Sequence, residues 1–97
     1  MGAYAYQGQQ QQQAKRRKAI SRTITGAVSH GGLIQITATN HGFHTEDRIT
    51  VAGVGGTVEA NGTKQRITVT GANTFDLQGS TFTNAYTSGG TATRTQG

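Results

Sequence analysis

An all-β fold is what this sequence predicts: a small antiparallel barrel or sandwich of about six or seven short strands, preceded by a flexible N-terminal arm. Three observations carry that expectation. Apolar and polar residues alternate with a period of two in four separate runs, the spacing of half-buried strands rather than helices. Glycine supplies 15 of the 97 residues and punctuates the chain every few positions, with no proline or cysteine. Residues 1–19 share neither feature, being glutamine-rich and then basic.

The arm comes first. "MGAYAYQGQQQQQA" has few apolar side chains beyond Tyr4 and Tyr6. Such a segment buries too little surface to offset the entropy of ordering it, so order is expected only on a partner. The residues from Gln9 to Ile20 are mostly good helix formers, but a helix of that length is marginal alone in water. Fully extended, residues 1–19 reach roughly 60 Å at about 3.3 Å per residue.

From Ile20 onward the pattern is β. "LIQITAT" (33–39) sets Ile34, Ile36 and Ala38 on one face and Gln35, Thr37 and Thr39 on the other. "RITVAGV" offers Ile49 and Val51, "QRITVT" Ile67 and Val69, and "TFDLQG" Phe75 and Leu77. Between the runs lie "SHGG", "NHG", "GVGG", "NG", "GAN" and "SGG", residues that tolerate positive φ. Asn61-Gly62 is the strongest hairpin signal among them, and "TATRT" is expected as an edge strand. The expected core is Val28, Leu33, Ile34, Ile36, Phe43, Ile49, Val51, Val58, Ile67, Val69, Phe75, Leu77 and Tyr86. The domain boundary falls between residues 19 and 20.

Charge separates the same two parts. Lys15, Arg16, Arg17, Lys18 and Arg22 face no acid in residues 1–22, whereas residues 23–97 hold four cations and four acids. The whole formal charge of +5 therefore sits in and beside the arm. Five cations on phosphates correspond to a salt slope of about −4, which is weak binding for a single copy at physiological salt. Many copies on one particle would bind far more strongly.

Other chemistry is thinly supported. Without cysteine, neither a disulfide nor a thiolate metal site is possible on this chain. His30, His41 and His44 read as loop histidines on a polar rim, without the third and fourth ligands that zinc needs. Glu46 and Asp47 are neighbours that on a strand would point to opposite faces. No nucleophile elbow is present, and "GVGGTVEANGTK" lacks the strand-loop-helix setting of a phosphate loop. No apolar run in the first thirty residues is long enough for a signal peptide or membrane span. A soluble, non-enzymatic protein is expected, with no cofactor, metal, membrane partner or small-molecule substrate.

The ordered set "ITATNHGF", "DRITVAGVGG", "NGT", "ITVTGANTFDLQG" and "AYTSGG" resembles a small β module of bacteriophage tail and virion proteins. That module is named after the first catalytic-cysteine half-domain of ubiquitin-activating enzymes. The resemblance covers residues 23–94. Ubiquitin activation does not carry over, because the chain has no cysteine and no adenylating machinery. Glu46 departs from the pattern, where a small turn residue such as glycine is expected, and so does Ala60, where a larger apolar residue commonly precedes Asn-Gly. The arm lies outside the resemblance.

What the resemblance implies is a non-enzymatic virion structural protein, an accessory subunit of the tail or tail fibre made in the host cytoplasm. It would dock through its β domain and arm on other virion proteins and on copies of itself. Tyr4, Tyr6, Lys15, Arg16, Arg17, Lys18 and Arg22 are the expected partner-binding residues. A capsid decoration (cement) protein or head-tail connector is the alternative within that class. A nucleic-acid-binding module acting through the basic arm is the alternative outside it. Carbohydrate binding through the loops is disfavoured by the absence of tryptophan.

Overall fold

The computed structural model describes residues 20–94. Seven strands lie within them: β1 (Ile20–Thr23), β2 (Gly26–His30), β3 (Leu33–Thr37), β4 (Arg48–Ala52), β5 (Gly62–Gly71), β6 (Thr74–Leu77) and β7 (Thr91–Arg94). A single 3-10 turn, Val58–Ala60, sits between β4 and β5. All pairings are antiparallel, in the order β1-β7-β4-β5-β6-β3-β2. The all-β expectation and its strand number are correct.

Two long segments turn this order into a curled half-barrel. The first half of β5 pairs with β4 (Arg48↔Arg66) and the second with β6 (Ile67↔Leu77). Register shifts at Ile49/Val51 and Val69/Gly71 bend the ladders, as bulges do. On the far side, β1 and β2 are the two ends of the sheet, yet they are consecutive in the chain. Ile24 N–H donates to Gly90 O (2.9 Å) and Thr25 N–H to Thr37 O (2.9 Å). The chain thus changes ladders between two adjacent residues, and one bent segment serves both edges.

Inward positions follow the period of two. Ile34, Ile36, Ile49, Ile67, Phe75, Leu77 and Ala92 are fully buried, and Ile24, Ala27, Val51 and Val54 nearly so. Three expected core residues are not in it: Leu33 is half-buried outside the cluster, and two more are exposed. Val28 is 51% exposed and Val58 57%. On β2 the inward position belongs to Ala27, paired with Ile36, so strand parity sends Val28 outward. Beside Val58, Thr57 and Ala60 are the buried residues. Val69 and Tyr86 are half-buried and pack against the cluster from its margin.

Three further expectations need correction. β7 is not an edge strand, because β1 covers its outer side and places it between β1 and β4. Asn61-Gly62 makes no hairpin. Asn61 follows the 3-10 turn with extended dihedrals, and its amide clamps Val54, accepting from its N–H (3.0 Å) and donating to its carbonyl (3.2 Å). The segment "SGG" is likewise no hairpin but part of a long loop, in which the Tyr86 hydroxyl donates to Gly89 O (2.9 Å).

The half-barrel has two ends. At one lie the start of β1, the end of β7 (Ile20↔Arg94), the 38–47 loop and the 71–74 turn. At the other, loops 53–61 and 78–90 are bonded together. Gly55 N–H donates to Ser88 O (2.7 Å), and Thr57 Oγ1 to Asn84 O (2.7 Å). Glu59 completes the latch by accepting from Asn84 N–H (2.8 Å), Thr83 N–H (2.7 Å) and Asn84 Nδ2 (3.0 Å).

The Asn84 backbone N–H above all, with Thr83 N–H and the Asn84 side chain, holds the Glu59 carboxyl at about 2, against an ordinary value of 4.5. A lowered folded value means stability that is complete above the ordinary value and lost as pH falls through the folded one. The melting-temperature gap between wild type and Glu59→Gln should therefore be widest above pH 4.5 and close as pH falls to about 2. A gap that stays constant in thermal melts across that window would show that the latch carries no ionic stabilisation.

Candidate functional site

Of the expected partner-binding residues, Tyr4, Tyr6, Lys15, Arg16, Arg17 and Lys18 lie outside the described residues. Arg22 is described, and it belongs to the folded body rather than to a tether. It lies on β1 opposite Ala92, and its Nε donates to Asn40 O (3.2 Å). The guanidinium thus pins the first strand to the 38–47 loop.

That loop lines an open groove of about 360 Å³, formed by Asn40, His41, Gly42, Phe43, Val69, Gly71 and Ala72. Its floor is aromatic. His41 stacks on Phe43 at 5.3 Å between ring centroids, and both meet the Phe75 ring edge-on at 5.4 and 5.7 Å. Such offset and edge-to-face arrangements are favoured by the ring quadrupoles.

His41 is only 2% exposed, which corrects its expected place on a polar rim. Its Nε2 faces two acceptors, Gly71 O (2.9 Å) and Thr74 O (3.1 Å), so that nitrogen carries the hydrogen and donates. Its Nδ1 accepts from Phe43 N–H (2.9 Å). Both ring nitrogens are occupied, and the tautomer is fixed by its partners. The histidine is therefore a structural bridge between the 38–47 loop and the β5–β6 turn. Asn40 at φ 49° and Gly42 at φ 69° flank it, and this double reversal turns His41 and Phe43 inward.

The other two histidines are separate from it. His44 is exposed beside Asp47, whose Oδ2 accepts from His44 N–H (2.8 Å). His30 ends β2, and its Nδ1 donates to Asp76 Oδ2 (2.8 Å). Among the described residues, no group of three or more His, Cys, Asp or Glu side chains is gathered as a metal would need.

Two buried charges escaped the sequence reading. Asp76 is 5% exposed, with Oδ2 on His30 and Oδ1 without a partner among the described residues. Arg94 is 7% exposed, its Nη1 4.0 Å from Asp47 Oδ2. Both sit inside strand runs where charge reads as an outward face. Glu46, by contrast, stands where glycine is expected, and its φ is 79°. That left-handed conformation is the reason for the glycine preference.

These features define a small all-β barrel module with an apolar groove at the end where β1 begins. Residues 29–96 match the family described as the ubiquitin-activating enzyme E1 FCCH domain, and the chain belongs to that family. No curated protein matches the chain. The family match begins within β2, so β1 lies ahead of it although hydrogen bonding makes β1 part of the sheet.

Proposed function

We propose that the protein is a non-enzymatic structural subunit of a bacteriophage virion, associated with the tail or tail fibre, that docks through its barrel and its N-terminal arm. The observation that carries this reading is the anchoring of the arm. The residue after it, Ile20, opens a strand paired along its whole length with β7, which is itself paired with β4. A partner holding residues 1–19 therefore holds the barrel through a ladder rather than a loose joint. The five cations of residues 15–22 lie at this junction, where they favour acidic surface on a neighbouring subunit. The same arm architecture suits a capsid decoration or connector subunit, and position on the particle is part of the test.

The test is incorporation into particles. Chain lacking residues 1–18 is expected to be absent from purified virions at a level where the full chain is present. Labelling the full chain for cryo-electron microscopy places it on tail, head or connector. Equal incorporation of both forms removes the arm from the docking function. Absence of the full chain from virions, with DNA affinity falling at a salt slope of about −4, makes it a nucleic-acid-binding module instead.

A further inference from the structure

We infer that the groove over His41 and Phe43 is the receptor for the Tyr4–Tyr6 segment of a second copy of this chain. The inference rests on the arm-docking reading above and names the surface that takes the arm. Location is the first argument. Arg22, the third residue after the arm, donates to the carbonyl of Asn40, which lines the groove. The point of departure of the arm and the groove therefore share one end of the half-barrel. Two copies meeting by these ends present a groove to each other's arm, a reciprocal arrangement with two-fold symmetry. Residues 7–19 separate Tyr6 from β1 and span up to about 45 Å when extended, enough to cross such a contact.

Chemistry is the second argument. The groove has no charged side chain, and its floor is the His41–Phe43 stack. Residues 1–14 are equally uncharged in their side chains, and Tyr4 and Tyr6 are their only aromatic groups. Two positions apart, both rings fall on one face of an extended segment. His41 has no free ring nitrogen and is only 2% exposed, so it offers the groove no polar competitor.

The experiment uses the full chain. Sedimentation equilibrium compares wild type with Ala72→Lys, which puts a cation into the groove from an exposed turn position, and with Tyr4→Ala/Tyr6→Ala. Each is expected to weaken self-association at least about tenfold. Combining them should weaken it little further, because they remove the same contact. A photo-cross-linking benzoylphenylalanine at position 4, in a mixture of isotopically heavy and light copies, should join heavy to light chains at residues 69–72. No self-association, cross-links confined to one copy, cross-links elsewhere, or wild-type association in a folded Ala72→Lys protein would each overturn the inference. If Ala72→Lys enters virions normally while chain lacking residues 1–18 does not, the arm docks at another surface and only the groove assignment fails.

Discussion

Gly56→Ala is expected to cost about 3–5 kcal/mol, combining left-handed strain with overpacking. Gly56 lies at φ 79°, a conformation that L side chains rarely adopt. The added methyl would also overlap the Ala85 carbonyl oxygen and lie 2.6 Å from Thr87 N. Both are backbone atoms held by the contact between loops 53–61 and 78–90, so neither can swing aside. Gly31 provides the control, with φ 63° and nothing within 4 Å of an added methyl. Gly31→Ala should cost only about 1 kcal/mol. Urea denaturation of the two variants separates strain from crowding, and equal losses would show that the loop contact yields. A body of this size has roughly 4–11 kcal/mol in total, so Gly56→Ala leaves the folded state marginal or lost.

Phe75→Ala is expected to remove about 3–5 kcal/mol, the usual cost of deleting a buried aromatic ring. Phe75 is fully buried on β6 and touches both His41 and Phe43 edge-on. Its loss empties the centre of the core and also takes the support from beneath the groove floor. The variant should therefore lower the urea midpoint and loosen the His41 ring. Ring ¹⁵N shifts would then report exchange between tautomers in place of the single Nε2–H form. A denaturation midpoint unchanged from wild type would show that the core collapses around the gap.

Much of the body was legible because strand parity is a local property. Ile34 and Ile36, Ile49 and Val51, and Phe75 and Leu77 alternate with polar neighbours, and all six are buried. Glycine spacing marked where the chain reverses, and the glycine preference broken at Glu46 pointed to a left-handed residue. Legibility ended where a residue's environment depends on which strand lies beside it. Val28 has the propensity of a core residue, yet Ala27 holds the inward position opposite Ile36. Asn61-Gly62 carries the local signature of a tight hairpin, yet the Asn61 amide is committed to Val54, seven residues back.

The groove shows the same division. Asn40-His41-Gly42-Phe43 announced a turn returning an aromatic to the core, which is correct for Phe43. Nothing local told that His41 would follow it inward, because its two carbonyl partners belong to Gly71 and Thr74, thirty or more residues away.

By itself, the sequence determined an all-β body with polar-apolar alternation, the segregation of charge into residues 15–22, and the absence of thiol chemistry. These are properties of composition and near-neighbour spacing, which no later contact alters. Only the tertiary structure decided that β1 covers β7, that one bent segment serves both edges of the sheet, and that an aromatic groove opens beside Arg22. Each of these depends on hydrogen bonds between residues far apart in sequence. Their partners are chosen by the curl of the whole sheet rather than by any residue's own preference.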